Sequence, residues 1–337
     1  MNFIEVCSGA GGLSLGFINK GFKPILLNDI DKSCISTLKE NHKDVEIFTK
    51  SFTEIDTDLY EHKVDLLMGG VPCQAFSQSG KRKGLEDSRG NLILEFIELI
   101  KKLSPKVFLI ENVKGLFTHS KADPSAPGGK APKGDTFRQI LDTIHSIDKY
   151  DVYHKVLNSN NYDVAQKRER LFIVGVRRDL NKVFSFPTPL EYKPVLRDVI
   201  SDIQDVKSEG YTYSREKYEI MRMVPEGGCW VDLPVDIQKS YLKKSYNSGG
   251  GKRGIAKRLS MDKPCLTLTT SPAQKQTERC HPVETRPLNI MEYRRIQSFP
   301  DDYIIKGSVL QRYKQIGNAV PVKLAEHMAD TIKKILL

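Results

Sequence analysis

Short apolar segments alternate with helix-like patterns along the first half of the chain. Each segment has the length and composition of a strand that is buried on both faces. The predicted strands are residues 3–6, 25–27, 65–68, 107–110, 152–157 and 171–176. Between them, apolar side chains recur at helical spacing over residues 91–103 and 137–147. The pattern predicts an α/β fold with a doubly wound, mostly parallel sheet covered by helices on both faces.

Two regions break this alternation. Residues 120–134 contain three prolines and three glycines, which predicts a loop inserted before a helix. From about residue 187 the chain becomes polar, basic and loop-rich, which predicts a second, smaller domain. Order returns near the C-terminus, where apolar side chains at helical spacing predict a helix over residues 322–336.

The charge balance favours a polyanionic partner. The 337 residues include 52 Lys and Arg against 42 Asp and Glu, a formal net charge of +10, and the pI is about 9.1. Nucleic acid is the first candidate, although an enzyme that happens to be basic would show the same balance. The six cysteines form no C-x-x-C pair and no zinc-ligand spacing, which indicates a reduced, cytoplasmic protein without a metal site. We expect no signal peptide and no membrane span.

A glycine-rich turn at residues 7–12 joins the first predicted strand to a helix that begins near Leu13. Asp29 lies 20 residues beyond Gly9, at the end of the next strand, where a carboxylate can hold ribose hydroxyls. Ser14 stands where the dinucleotide fingerprint has its third glycine, which disfavours a pyrophosphate cofactor. A nucleoside that carries an amino acid, such as S-adenosylmethionine, fits better. A glycine turn without a ligand is the alternative.

Polar residues also follow two later strands. A Pro-Cys-Gln turn at residues 72–74 comes after residues 65–68, and Glu111 comes directly after residues 107–110. Because ligands bind at the carboxyl ends of parallel strands, both features are expected to face one crevice. Cys73 beside a helix N-terminus would have a lowered pKa and act as a nucleophile. The alternative is a small buried side chain, which is what most single cysteines are.

Arg168 and Arg170 are two residues apart, just before the predicted strand at residues 171–176. On an extended segment they point to the same face, and paired guanidinium groups suit phosphate or base oxygens. Either arginine could instead belong to a structural ion pair.

Taken together, six segments resemble the motifs of the DNA cytosine-5 methyltransferase family of the bacterial restriction–modification type. In order, they are residues 7–12, 72–74, 111–113, 166–170, 286–300 and 315–321. The resemblance implies the fold of methyltransferases that depend on S-adenosylmethionine. It also implies a catalytic, cofactor-binding domain of residues 1–186 plus 303–337, and a target-recognition domain with a hinge at residues 187–302.

The resemblance further implies the reaction. A cytosine in a specific short duplex site is flipped into the pocket, and the Cys73 thiolate attacks its carbon 6. Glu111 hydrogen-bonds and protonates ring nitrogen 3, and Arg168 holds the carbonyl oxygen of the base. Carbon 5 then accepts the methyl group of S-adenosylmethionine. The supporting residues of this pocket are Arg170, Asn112 and Gln74.

Cofactor and DNA contacts are implied in the same way. The cofactor residues are Gly9, Gly11, Gly12, Leu13, Asn28, Asp29, Ile30, Ser51, Phe52, Pro72, Leu92, Asn318 and Val320. The family often has Phe at the position of Cys7, Glu at that of Asp29, and Asp at that of Ser51, which affects how adenine is read. The DNA contacts are Ser79, Lys81, Arg82, Lys83, Lys252, Arg253, Lys257 and Arg258. Residues 267–270 and 274–279 are expected near base edges.

Two other functions compete with this one. An RNA cytosine methyltransferase of the same fold is the first, but the Cys-Phe-Thr tripeptide of the tRNA-directed branch is absent. A catalytically silent nucleic-acid-binding module is the second, and the presence of Cys73, Glu111 and Arg168 argues against it. We expect a monomer that acts on double-stranded DNA in the bacterial cytoplasm and nucleoid, with a cognate restriction endonuclease in the same system.

Overall fold

A seven-stranded sheet organises the larger part of the molecule. The computed structural model describes residues 1–71, 92–119, 134–203, 206–247 and 254–337. The strands are β1 (Asn2–Val6), β2 (Lys23–Asn28), β3 (Glu46–Phe48), β4 (Leu66–Gly69), β5 (Val107–Val113), β6 (Tyr150–Asn158), β7 (Gln166–Lys167), β8 (Glu169–Arg177) and β9 (Cys265–Leu266). The order in the main sheet is β3-β2-β1-β4-β5-β8-β6, while β7 and β9 pair in a small parallel sheet.

The main sheet is doubly wound, as the alternating pattern predicts. From β1 the chain moves outward through β2 to β3, then returns to place β4 on the other side of β1. The pairs β1–β2, β2–β3, β1–β4 and β4–β5 are all parallel. The order therefore reverses between β1 and β4, and such a switch point opens a crevice at the carboxyl ends of the strands. Residues 152–157 and 171–176 do form strands, but β8 runs antiparallel to both β5 and β6.

Helices cover this sheet and build the rest of the chain. They are α1 (Gly12–Asn19), α2 (Lys32–Asn41), α3 (Leu92–Leu103), α4 (Gly115–Thr118), α5 (Asp135–His145), α6 (Arg197–Ile200), α7 (Arg215–Arg222), α8 (Val235–Leu242), α9 (Ile290–Ile296), α10 (Val309–Asn318) and α11 (Val322–Leu336). The three helices expected from apolar spacing, α3, α5 and α11, are confirmed. Among the residues that the structure describes, no helix is both long and apolar enough to cross a membrane.

The contacts divide the chain into two compact units. The first unit contains residues 1–158, 169–189 and 324–337, and the second contains residues 159–168 and 190–323. The second unit thus begins near the expected residue 187, but residues 159–168 and 303–323 group with it rather than with the first. The functional assignment of the two units, as catalytic and target-recognition domains, stays a prediction.

Each unit has its own apolar core. In the first unit, side chains from the sheet and from α3 and α5 form one cluster, including Ile4, Leu67, Phe96, Phe108 and Ile140, all fully buried. In the second unit, a smaller cluster joins the end of α7 to α8 and to the segment around Cys280; its members include Met221, Leu233, Leu242 and Ala256. Because burial of apolar surface is the main stabilising term, these clusters hold the loops that carry the polar residues.

Gly175 is required by the packing of β5 against β8. It lies directly opposite Phe108, and a Cβ atom at position 175 would be 1.9 Å from Cε1 of that ring. The Phe108 ring is itself fixed edge-on against Tyr150, with 5.1 Å between the ring centroids. We expect Gly175→Ala to lower the free energy of unfolding by about 1–3 kcal/mol, because the ring must leave its preferred position.

Urea denaturation followed by circular dichroism would measure this effect. The matched control is the double variant Gly175→Ala/Phe108→Leu, in which the smaller side chain makes room for the new methyl group. If adding Gly175→Ala to Phe108→Leu costs as much as adding it to the wild type, the clash at this position is not the cause.

Candidate active site

The turn between β1 and α1 is held open by unusual backbone angles. Cys7, Gly9 and Gly11 have φ values of 53°, 57° and 81°, in the region that favours glycine. The Ser8 amide donates to the Asn28 carbonyl at 2.8 Å, which fixes the turn to the end of β2. A Cβ atom at Gly9 would meet nothing within 4 Å, so open space lies over the turn. Here the start of α1 can receive a ligand.

Asp29 braces this turn from the neighbouring strand. One carboxylate oxygen accepts the Gly9 amide at 2.8 Å, and the other accepts the Asp31 amide at 2.8 Å. Burial raises the pKa of Asp29 above its ordinary value, and these backbone hydrogen bonds oppose that rise. A carboxylate has lone pairs beyond the two used here, so Asp29 can also accept a hydroxyl hydrogen bond.

Asn28 and Phe52 are structural parts of this region. The Asn28 side chain is buried and donates to the carbonyls of Phe48 and Lys50, at 2.9 and 2.8 Å, which ties β2 to the segment after β3. Phe52 is buried in the main core. Ser51, which stands where the family has an acidic residue, accepts an amide hydrogen bond at the start of a short 3₁₀ turn.

The other expected cofactor residues lie in different settings. The Ile30 side chain is 72% exposed, next to Asp29, and Leu92 begins α3 partly buried against the main core. Asn318 and Val320 belong to the second unit, at and just after the end of α10. Pro72 lies outside the residues that the structure describes.

Glu5 is a site residue that the sequence reasoning missed. It lies in β1, two residues before the turn begins at Cys7, and is 1% exposed. Burial raises its pKa to about 8, although hydrogen bonds from Ser14 and Ser8 oppose the rise. Its Oε2 atom has no hydrogen-bond partner in the described part of the chain. A charged residue inside the apolar run of residues 3–6 was the signal that could have identified it.

Glu111 forms a buried ion pair with Arg170. The distance between Arg170 Nε and Glu111 Oε1 is 2.9 Å, and the two side chains are only 12% and 10% exposed. The antiparallel register of β5 and β8 sets this contact, because it pairs Val113 with Arg170 two residues beyond Glu111. Burial lowers the pKa of Arg170, and the Glu111 carboxylate opposes that shift. A carboxyl group and a guanidinium are thus fixed together at the end of β5.

The chain after β4 passes directly beside this ion pair. A Cβ atom at Gly70 would be 3.3 Å from Glu111 Oε2, so only glycine leaves that oxygen unobstructed. The Asn112 side chain donates to the Val71 carbonyl at 3.0 Å. Residues 72–74, with Cys73 and Gln74, lie outside the described residues.

Arg168 does not share the environment of Arg170, contrary to expectation. Arg168 is 1% exposed, and its guanidinium donates to three backbone carbonyls of the second unit, those of Leu268, Gly317 and Asn318, at 2.8–3.2 Å. The same-face rule fails because Arg168 lies at the break between β7 and β8, not within one continuous strand. The expectation that Arg168 holds the carbonyl oxygen of the base stays a prediction.

The residues expected to contact DNA differ in whether the structure describes them and in how buried they are. Ser79, Lys81, Arg82, Lys83, Lys252 and Arg253 lie outside the described residues. Arg258 is 4% exposed and donates to backbone carbonyls that include those of Met221, Val224 and His281, and its role as a phosphate contact stays a prediction. Lys257 is half-buried and donates to the Gly227 carbonyl, and burial lowers its pKa.

Comparison with known proteins places this arrangement in a family. The family model of the C-5 cytosine-specific DNA methylases matches residues 1–334. The type II methyltransferase M.Sau96I of Staphylococcus aureus is 48% identical over 98% of this chain and 75% of its own length. M.Eco47II of Escherichia coli is 45% identical over 98% of this chain and 80% of its own length.

A solved structure agrees on the fold. The Entamoeba histolytica methyltransferase EhMeth superposes with a TM-score of 0.65 at 17% identity, covering 100% of this chain and 99% of that one. The sheet order and the glycine turn are consistent with the family match over residues 1–334. The chain belongs to the C-5 cytosine-specific DNA methylase family.

Proposed function

We propose that this DNA cytosine-5 methyltransferase acts through a covalent bond between Cys73 and carbon 6 of a flipped-out cytosine. The observation that carries the proposal is the buried Glu111–Arg170 ion pair, beside the chain that leads to Cys73. Asn112 donates to the Val71 carbonyl, and Cys73 follows Val71 by two residues in the sequence. Such a grouping supplies a nucleophile, a proton donor and a cation for one base.

Each group has a separate task in this mechanism. The Cys73 thiolate adds to carbon 6, which pushes electrons toward carbon 5 and ring nitrogen 3. Glu111 gives a proton or a hydrogen bond to that nitrogen, so negative charge does not accumulate on the ring. Arg170 holds Glu111 in place against the base through the buried ion pair. After carbon 5 is methylated it loses its proton, and the electrons of that bond restore the ring double bond as Cys73 leaves.

The site also fits S-adenosylmethionine, which supplies the electrophilic methyl group when bound. The open space over Gly9 suits a ligand that approaches the start of α1. Asp29 can accept the ribose hydroxyls while it braces the turn. The unpartnered Oε2 atom of buried Glu5 gives the positively charged amino acid part of the donor a complementary oxygen. The exposed Ile30 side chain offers an apolar surface to the adenine.

The relatives indicate the biological setting. Both proteins named above are type II methyltransferases, and they match nearly all of this chain. We infer that this enzyme methylates one short duplex site and protects it from a cognate endonuclease in the same cell. It acts as a monomer, because one chain carries the whole proposed site.

Cys73 is expected to be essential for methyl transfer. With radiolabelled S-adenosylmethionine and mixed-sequence duplex DNA, the wild type is expected to methylate cytosine carbon 5 at one recurring site, mapped by bisulfite sequencing. A duplex with 5-fluorocytosine at the target should form a stable adduct, because the fluorine cannot be removed as a proton is. Cys73→Ala and Cys73→Ser should both lose the adduct and the transfer.

Cys34→Ala provides the matched control, since Cys34 is a buried cysteine in α2, distant in sequence from the proposed nucleophile. This variant should keep both activities. Transfer to RNA but not to DNA would contradict the assigned substrate. A DNA adduct that persists in Cys73→Ala would contradict the assigned nucleophile.

Asp29 is expected to be needed for tight binding of the cofactor. In Asp29→Asn the amide group must present its N–H₂ to the Gly9 or the Asp31 amide, so one of two 2.8 Å hydrogen bonds is lost. We expect S-adenosylmethionine to bind about tenfold more weakly or worse, as measured by isothermal titration calorimetry. Asp44→Asn, at an exposed position, should bind like the wild type. Equal affinities for Asp29→Asn and Asp44→Asn would remove Asp29 from the cofactor site.

A further inference from the structure

The second unit contains a small surface cavity that the reaction does not use. It has a volume of about 260 Å³ and lies between the start of α7, the end of α8 and the segment around residues 273–278. Its walls include Tyr213, Lys217, Tyr241, Lys275 and Glu278. The volume is sufficient for the edge of one nucleobase or for several water molecules.

A buried ion pair fixes one wall of this cavity. Glu278 is 1% exposed, and its Oε1 atom pairs with the ammonium of Lys217, which also contacts the Tyr241 hydroxyl. The Lys217 ammonium lies 4.5 Å from the centre of the Tyr241 ring. The Tyr241 hydroxyl also donates to Glu278 Oε1, so both members of the ion pair position the Tyr241 ring.

Tyr241 in turn fixes Lys275. The Lys275 ammonium donates to the Tyr241 carbonyl at 2.9 Å and lies 4.4 Å from the centre of its ring. An ammonium has three donors, so two remain for a ligand. Most exposed lysines are flexible and contact phosphates as loosely placed charges. Lys275 is exposed, yet its ammonium already has a defined position, which reduces the entropy lost on binding.

Hydrogen bonds to backbone carbonyls hold the segment that carries Lys275. Thr277 donates its amide to the Gln274 carbonyl at 3.0 Å, which closes a turn around Lys275. On the C-terminal side, the Arg279 amide donates to the Pro272 carbonyl at 3.0 Å, and its guanidinium donates to the Thr267 carbonyl. Lys275 is therefore presented at the tip of a rigid, exposed turn.

We propose that Lys275 is a specificity residue that reads the major-groove edge of a guanine in the target site. Guanine alone presents two neighbouring acceptors there, O6 and N7, which match the two remaining donors of Lys275. Adenine and cytosine place an amino group toward the ammonium, and thymine offers one acceptor beside a methyl group. Tyr241, Lys217 and Glu278 are positioning residues. The inference rests on the proposed action at a specific DNA site.

The test begins with selection of duplexes from a random library by the wild type and by Lys275→Met, followed by sequencing. The wild type should select a motif with at least one invariant guanine, and Lys275→Met should accept other bases at one such position. Lys239→Met is the matched control, because Lys239 is an exposed lysine on α8 with the same charge. It should select the unchanged motif.

A second measurement alters the DNA bases and compares binding by the wild type with binding by Lys275→Met. Each guanine of the selected duplex is replaced in turn by 7-deazaguanine, which lacks N7, or by 2-aminopurine, which lacks O6. At one position the wild type should bind about tenfold more weakly, and Lys275→Met should be insensitive to the same replacement. Thermal melting of Lys275→Met should match the wild type, since the side chain is exposed.

Two results would overturn the proposal. One is an unchanged selected motif for Lys275→Met. The other is binding by Lys275→Met that is weakened by the same factor on every duplex, whatever its sequence, which indicates a phosphate contact. Selection requires no methyl transfer, so it separates this inference from the proposed reaction. A wild type that selects a guanine motif without methylating it would refute the reaction and leave the reading of guanine intact.

Discussion

The buried ion pair between Glu111 and Arg170 is the constraint on which the proposed site depends. Two charges removed from water lose hydration that their mutual attraction repays only when the geometry is good. Here the antiparallel pairing of β5 and β8 provides that geometry, because the register of two strands in the sheet sets the 2.9 Å contact. The carboxyl group that we propose as the proton donor is therefore placed by the register of the sheet and not by a loop. Gly70 and Asn112 then bring the chain toward Cys73 alongside it.

Arg168 and Arg170 are separated by one residue but have different partners. Arg170 lies within β8 and faces Glu111, while Arg168 lies between β7 and β8 and donates to carbonyls at residues 268, 317 and 318. A guanidinium with several carbonyl partners links distant parts of a chain, and its loss would leave buried acceptors unsatisfied. Arg258 does the same around Met221 and Val224. Part of the basic composition therefore stabilises the second unit.

The sequence predicted the sheet, the glycine turn and the family because these depend on local patterns and on motif order. Apolar runs marked most strands, and Gly9 with Asp29 marked the turn. The sequence could not predict that the guanidinium groups of Arg168 and Arg258 are buried against backbone carbonyls, because those carbonyls lie far away in the chain. Glu5 was missed for the same reason, since its environment comes from α1 and from the turn. The antiparallel direction of β8 is likewise a property of the whole sheet.

A double-variant cycle on the ion pair tests the central claim most directly. Single-turnover rates of methyl transfer would be measured for Glu111→Gln, Arg170→Met and the double variant, at saturating DNA and methyl donor. If Arg170 acts by holding the Glu111 carboxyl against the base, each single change should slow transfer about 100-fold or more, and the double variant should be little slower than the worse single one. The proposed site would be contradicted if the rate reductions of the two single variants multiply in the double variant, or if Arg170→Met transfers the methyl group at a nearly normal rate. Either result would show that the two residues act independently.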